Sequence, residues 1–179
     1  MQAAAPWGHL AGRFFGALRP GGPSAADRAW VESVLEPGEY ALWARQPGHD
    51  RRHSAEVARR VEAALAGGAH AEDSRWLACA LLHDIGKLAS GLGIPARVLA
   101  TLVDRATEGA VADWEEYRGL RRRIALYLRH PELGADMLRL AGGRAEVAHW
   151  AGAHHDRARL DPSLFPAPVI AALVAADND

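Results

Sequence analysis

The chain is 179 residues long, which suits one domain with room for one sizeable core. Apolar residues make up 49% and charged residues 24%, a globular composition that excludes wholesale disorder. A formal net charge of -1 disfavours a protein that relies on nucleic-acid backbone contacts, and the single cysteine, Cys79, excludes a disulfide framework or a thiolate-rich zinc site within one chain.

In chain order the sequence reads as helices punctuated by Gly and Pro. Residues 7–18 place Trp7, Leu10, Phe14 and Leu18 at helical spacing, then stop at Arg19, Pro20, Gly21, Gly22 and Pro23. This segment is expected to pack on the domain or on a second subunit. Ser24 and Asp27 predict a capped helix to about Leu35. Pro37 opens a short helix ending near Gln46, and Pro47 opens the next, over 47–66, before Gly67 and Gly68. Further helices are predicted over 72–84, 94–107, 114–130, 132–141, 144–155 and 166–178. β-branched residues are few and no stretch alternates with period two, so the expected fold class is all-α without strands. The longest apolar runs, 76–82 and 169–176, are too short to span a bilayer. His9 and Arg13 interrupt the apolar stretch at the N-terminus, which is unlike a signal peptide. The expectation is a cytoplasmic protein with neither a membrane nor duplex nucleic acid as partner.

The informative residues are polar ones on apolar helical stripes. Val57, Val61 and Leu65 recur every four residues, and one turn before them stands His53. Trp76 and Ala80 lead to His83, with Asp84 continuing the other edge of the same face. Leu126 and Tyr127 lead to His130; Val147, Trp150 and Ala151 lead to His154, with His155 beside it; Ile170, Leu173 and Val174 lead to Asp177. A lone histidine on such a stripe is ordinary. A buried unpaired carboxylate costs several kcal/mol and tends to be neutral. Two carboxylates and five imidazoles directed at one core call for a shared cation. Imidazole and carboxylate without thiolate suit Fe, Mn, Zn, Co or Ni.

This pattern resembles the HD superfamily of metal-dependent phosphohydrolases. "HDIGK" at 83–87 is similar to its HD-x-G-K signature. "RRHSAEVARRV" at 51–61, "YLRHPELGADML" at 127–138 and "HHD" at 154–156 resemble the two-metal branch that includes the HD-GYP proteins. The resemblance covers about residues 50–179, and the whole chain resembles a group of short actinobacterial HD proteins. The Gly-Tyr-Pro element is missing: residues 156–168 read "DRARLDPSLFPAP", which argues against cyclic di-GMP hydrolysis.

The resemblance implies an HD helical bundle over 47–179 with an N-terminal helical extension over 1–46. It implies a first metal held by His53, His83, Asp84 and Asp177, and a second held by Asp84, as the bridge, with His130, His154 and His155. The cofactors expected are two divalent transition metal ions, Fe or Mn ahead of Zn, Co or Ni. His49 occupies the position of a third-metal Glu in some HD-GYP proteins and is read as a non-ligand at a fraying helix start.

The activity implied is hydrolysis of a small phosphate ester or nucleotide, as phosphomonoesterase or phosphodiesterase, by a hydroxide activated between two metals. Asp84 and Lys87 are the expected catalytic residues. Lys87 is the only lysine among 21 basic side chains, and it is expected just past the glycine that ends its helix, where a flexible point charge suits phosphate. Arg52, Arg129 and Arg157 adjoin candidate ligands and are further candidates for phosphate contact. Arg121, Arg122 and Arg123 read as a solvated helix face. The competing readings are an HD-type di-iron oxygenase and a non-catalytic HD sensor module. The small-molecule partner is a phosphate ester or nucleotide, and a homodimer is left open.

Overall fold

The structure is a computed structural model that describes residues 21–107 and 111–178; the predicted segment over 7–18 lies outside the described residues. In order, the helices are α1 (Ala25–Val34), α2 (Pro37–Ala44), α3 (Gly48–Leu65), α4 (Ser74–Leu82), α5 (Lys87–Ser90), α6 (Ile94–Ala106), a 3-10 turn (Ala112–Glu116), α7 (Leu120–Leu128), α8 (His130–Leu140), α9 (Ala145–Ala153), a second 3-10 turn (Arg157–Arg159) and α10 (Ala167–Asn178). The fold is all-α, with no strand among the described residues. Nor is any single described helix long and apolar enough to cross a membrane.

Local chemistry sets the starts. The Ser24 hydroxyl accepts the Asp27 amide at 3.0 Å and caps α1. Glu36 and Glu39 form a reciprocal capping box on α2, with the Glu36 amide donating to Glu39 Oε2 at 3.0 Å. Asp73 accepts the Arg75 amide at 3.1 Å at the start of α4.

Helix α4 is the centre of the bundle. Every residue of it from Trp76 to Leu82 is buried, as expected of a helix that is apolar all round. It packs against α1, α2, α3, α9 and α10. One hydrophobic core runs through these elements and takes in Val31, Leu35, Leu42 and Trp43 of the first two helices, Val57 and Val61 of α3, Trp150 of α9 and Leu173 of α10. Trp43 is fastened further, its indole donating to Ser54 Oγ at 3.0 Å. A second, small core of Leu92, Ala100 and Ile124 lies under Ala96, Trp114, Tyr127 and Leu128, and joins α6 to α7.

Three local expectations are corrected. The helix predicted over 114–130 is a 3-10 turn followed by α7, because Gly119 takes a positive φ of 69° and breaks the run. The helix predicted from 132 starts at His130, where Pro131 fits the first turn because no intrahelical amide is needed there. Lys87 does not trail a helix-ending glycine. Helix α4 stops with His83 as its C-cap, Gly86 keeps a right-handed φ of -65°, and Lys87 opens α5. The arginine run over 121–123 is exposed as expected, while Arg123 Nε donates to the Ser90 carbonyl at 2.9 Å and Arg121 lies over Trp114 and Tyr117.

Candidate metal centre

The seven side chains singled out as metal ligands come together where these helices meet. His83 and Asp84 stand at the end of α4, His130 at the start of α8, His154 and His155 just past α9, His53 in α3 and Asp177 in the last turn of α10. Arg60 of α3 holds the chain beside Asp177 by donating to the Ala176 carbonyl at 3.0 Å.

Two donor sets form. One nitrogen each of His130, His154 and His155 and one oxygen of Asp84 lie within 4.8 Å of one another. His53, His83 and Asp84 do the same. Asp84 belongs to both, and its two oxygens divide the work. Oδ2 is 3.3 Å from His83 Nε2, whereas Oδ1 is 3.2 Å from His130 Nε2 and 3.8 Å from His154 Nε2. Asp177 Oδ1 approaches His83 Nε2 at 3.3 Å from the other side. The His154 and His155 rings stand edge to face, with centroids 4.1 Å apart.

The imidazoles are oriented by one repeated device. Nδ1 of His83 bonds the Ala80 carbonyl at 2.8 Å, that of His130 the Tyr127 carbonyl at 2.7 Å, and that of His154 the Ala151 carbonyl at 2.9 Å. A carbonyl only accepts, so each Nδ1 carries a hydrogen, and Nε2 is the nitrogen that each ring has left for a ligand. Those three Nε2 atoms are buried and have no hydrogen-bond partner. Three buried ring nitrogens without a hydrogen bond around one carboxylate would be costly in a site meant to stay without a ligand. The donor set, imidazole and carboxylate with tautomers fixed from behind, fits a divalent transition metal.

Charge in the cluster follows from proximity. Burial pulls the His83 pKa down, but the carboxylates of Asp84 and Asp177 outweigh it and raise it to about 10. Burial raises the Asp84 carboxyl, and Lys87, His83 and His130 more than reverse that and hold it well below the usual carboxylate range. His154 falls to about 3 through burial and the charge of His83. His155 is lowered through burial and His130. Lys87, ion-paired with Asp84, is raised against the pull of burial.

The other basic candidates differ in placement. Arg52 donates to the Gly21 carbonyl at 2.9 Å, Arg129 is ion-paired with Glu115, and Arg157 opens the exposed second 3-10 turn. Two neighbours of the site were not singled out from sequence. Arg97 of α6 clamps Asp50 through both guanidinium nitrogens at 2.7 Å, one turn before His53. Tyr127 stacks on His130, with centroids 5.7 Å apart. Asp50 could have been found by its three-residue spacing from His53. Arg97 carries no signal in a chain rich in arginine.

No curated protein and no solved structure matches the chain. A family profile, the HD domain, matches residues 51–173, from just before His53 to the helix that carries Asp177. That span exceeds half of the chain and takes in His53, His83, Asp84, His130, His154 and His155, and the chain therefore belongs to the HD-domain family.

Proposed function

We propose that this protein is a phosphohydrolase that cleaves a small phosphate ester or nucleotide with two divalent transition metal ions, Fe or Mn ahead of Zn, Co or Ni. HD domains form a superfamily of metal-dependent phosphohydrolases. The observation that carries the reading here is the split carboxylate of Asp84, with Oδ2 facing His83 and Oδ1 facing His130 and His154. One carboxylate serving two donor sets is the arrangement that a pair of ions needs. His53, His83, Asp84 and Asp177 would hold one ion, and Asp84, His130, His154 and His155 the other. Such ions supply charge neutralisation for the ester and a water made nucleophilic near neutral pH.

The chain's own groups do the rest. Asp84 sets the separation of the two sets. The carbonyls behind His83, His130 and His154 hold Nδ1 of each ring and fix its orientation, so that Nε2 is the nitrogen turned to the cluster. Lys87, the ammonium bonded to Asp84, would meet the charge that builds on phosphate oxygens. Arg157, and Arg52 and Arg129 once they leave Gly21 and Glu115, are candidates for a second tier of phosphate contact.

The test is metal analysis of protein purified without a chelating column, followed by a panel of phosphate mono- and diesters. Near two equivalents of a transition metal with turnover of at least one ester is the expected result. Oxygen uptake on a carbon substrate with a mixed-valence iron signal, and no ester cleavage, would replace this reading with the oxygenase.

A further inference from the structure

A phosphate ester with a poor leaving group needs its departing oxygen stabilised as negative charge gathers there. The donors around the cluster are mostly engaged. The Nδ1 hydrogens of His83, His130 and His154 are held by backbone carbonyls. Lys87 is bonded to Asp84, Arg97 to Asp50 through both nitrogens, and Arg129 to Glu115.

Tyr127 is different. It sits in the last turn of α7, and its carbonyl is the one that fixes the His130 ring. Its own ring stacks on that imidazole at an interplanar angle of 29°. The Lys87 Nζ is 6.0 Å from the ring centroid, so the phenol stands beside both a candidate ligand and the lysine that ends the HDIGK segment. Its oxygen lies within electrostatic reach of Lys87 and Arg97. Among the described residues its hydroxyl has no hydrogen-bond partner. The small core of Leu92, Ala100 and Ile124, against which Tyr127 packs, holds it there.

We propose that Tyr127 is a further catalytic residue, whose hydroxyl donates a hydrogen bond to the leaving-group oxygen of the phosphate ester; this rests on the phosphohydrolase reading above. In the reaction the oxygen of a water forms a bond to phosphorus as the bond from phosphorus to the leaving oxygen breaks. The electron pair stays on the leaving oxygen, which ends with a proton from the attacking water. Tyr127 stabilises the charge during departure and keeps its own proton. Lys87 serves the non-bridging oxygens, so the two residues act on different parts of one ester.

The experiment compares wild type with Tyr127→Phe, which keeps the ring and its stack on His130. Both proteins are loaded with the same metal and assayed on an alkyl phosphate and on p-nitrophenyl phosphate. The expected loss in kcat is about 10²-fold on the alkyl ester, the scale of one lost transition-state donor. It is within about twofold on the p-nitrophenyl ester, whose leaving oxygen is already stable as an anion. Metal content and the Kd for inorganic phosphate, measured by calorimetry, are expected to be unchanged. Equal losses on both esters, or a weakened Kd for phosphate, would assign Tyr127 to shaping the site. Wild-type rates on both would remove it from the reaction, and a wild type that cleaves neither ester nor any other in the panel would overturn the phosphohydrolase reading together with this one.

Discussion

The Gly86 α-carbon is pressed against the His130 carbonyl so closely that a Cβ on it would meet that oxygen at 1.9 Å. The same Cβ would stand 2.6 Å from the Gly134 amide, and both obstacles are backbone. The turn that follows His83 and Asp84 thus lies directly on the start of α8, which sets Asp84 at hydrogen-bonding distance from His130. This explains a glycine whose φ is otherwise ordinary.

Gly86→Ala is expected to lose more than the about 1–3 kcal/mol usual for overpacking, because no side chain can move aside. Bound metal should fall in proportion as α8 is pushed away from Asp84. Gly93→Ala is the control, since nothing lies within 4 Å of its Cβ. Urea unfolding and metal analysis of both variants decide it. A Gly86→Ala protein with wild-type stability and metal content would refute the close packing.

Asp84 and His155 should separate the two donor sets. Asp84 belongs to both, and His155 to one. Asp84→Ala is expected to remove nearly all bound metal and activity, while His155→Ala keeps up to half of the metal. Elemental analysis on matched preparations reads this. Equal metal content in the two variants would contradict the sharing of Asp84.

Metal binding should release protons. His83 is held at about 10 by Asp84 and Asp177, so near neutral pH the metal-free ring is charged at Nε2 and must lose that proton to bind a cation. The sign follows: affinity rises with pH up to about 10 and weakens about tenfold for each unit below it from this group alone. Calorimetry in buffers of different ionisation enthalpy counts the protons. Release of none would show that the two carboxylates do not hold the proton on His83.

Glu39 is fully buried at 0% exposure and answers Arg144 through Oε2 at 2.6 Å and through the Arg144 backbone amide at 2.9 Å. Burial pushes its pKa up, and the Arg144 bonds more than reverse this, leaving it below 4.5. Removing the carboxylate leaves a mostly buried guanidinium without its counter-charge, bonded only to Ser74 Oγ and the Val34 carbonyl, so Glu39→Ala should cost about 3–5 kcal/mol. A depressed carboxylate stabilises fully above its unfolded pKa of about 4.5 and stops doing so as pH falls through the folded value. The gap in urea midpoint between wild type and variant is therefore expected to be widest at pH 7 and to close as the solution is acidified. A gap that stays constant down to pH 3 would mean that the charge of Glu39 contributes nothing.

The convergence of the cluster is legible in the chain because a polar residue on an apolar stripe is an anomaly. His53 one turn before Val57 and Asp177 one turn after Leu173 and Val174 stand out for that reason. Tyr127 is not legible in the same way, since an aromatic on an apolar stripe reads as core; it does pack on the small core, and its stack on His130 is set by the fold alone. Gly86 is opaque for another reason. Its requirement comes from the backbone of α8, about 45 residues on in sequence, and no local pattern encodes a tertiary approach. The break at Gly119 is a boundary error of the ordinary kind, because a glycine within a periodic run reads equally well as tolerated or as a stop.

The carbonyls that hold the imidazoles belong to helix ends. Ala80 lies in the last turn of α4, Tyr127 in that of α7 and Ala151 in that of α9, while Asp177 closes α10. Four helices thus direct their negative poles at the cluster, against α8 and the four-residue α5, which begin there. Each such pole favours a nearby positive charge by about 0.3–1 kcal/mol where solvent is near, and by up to about 2 kcal/mol when partly buried. The main chain is therefore polarised toward cations before any side chain coordinates one.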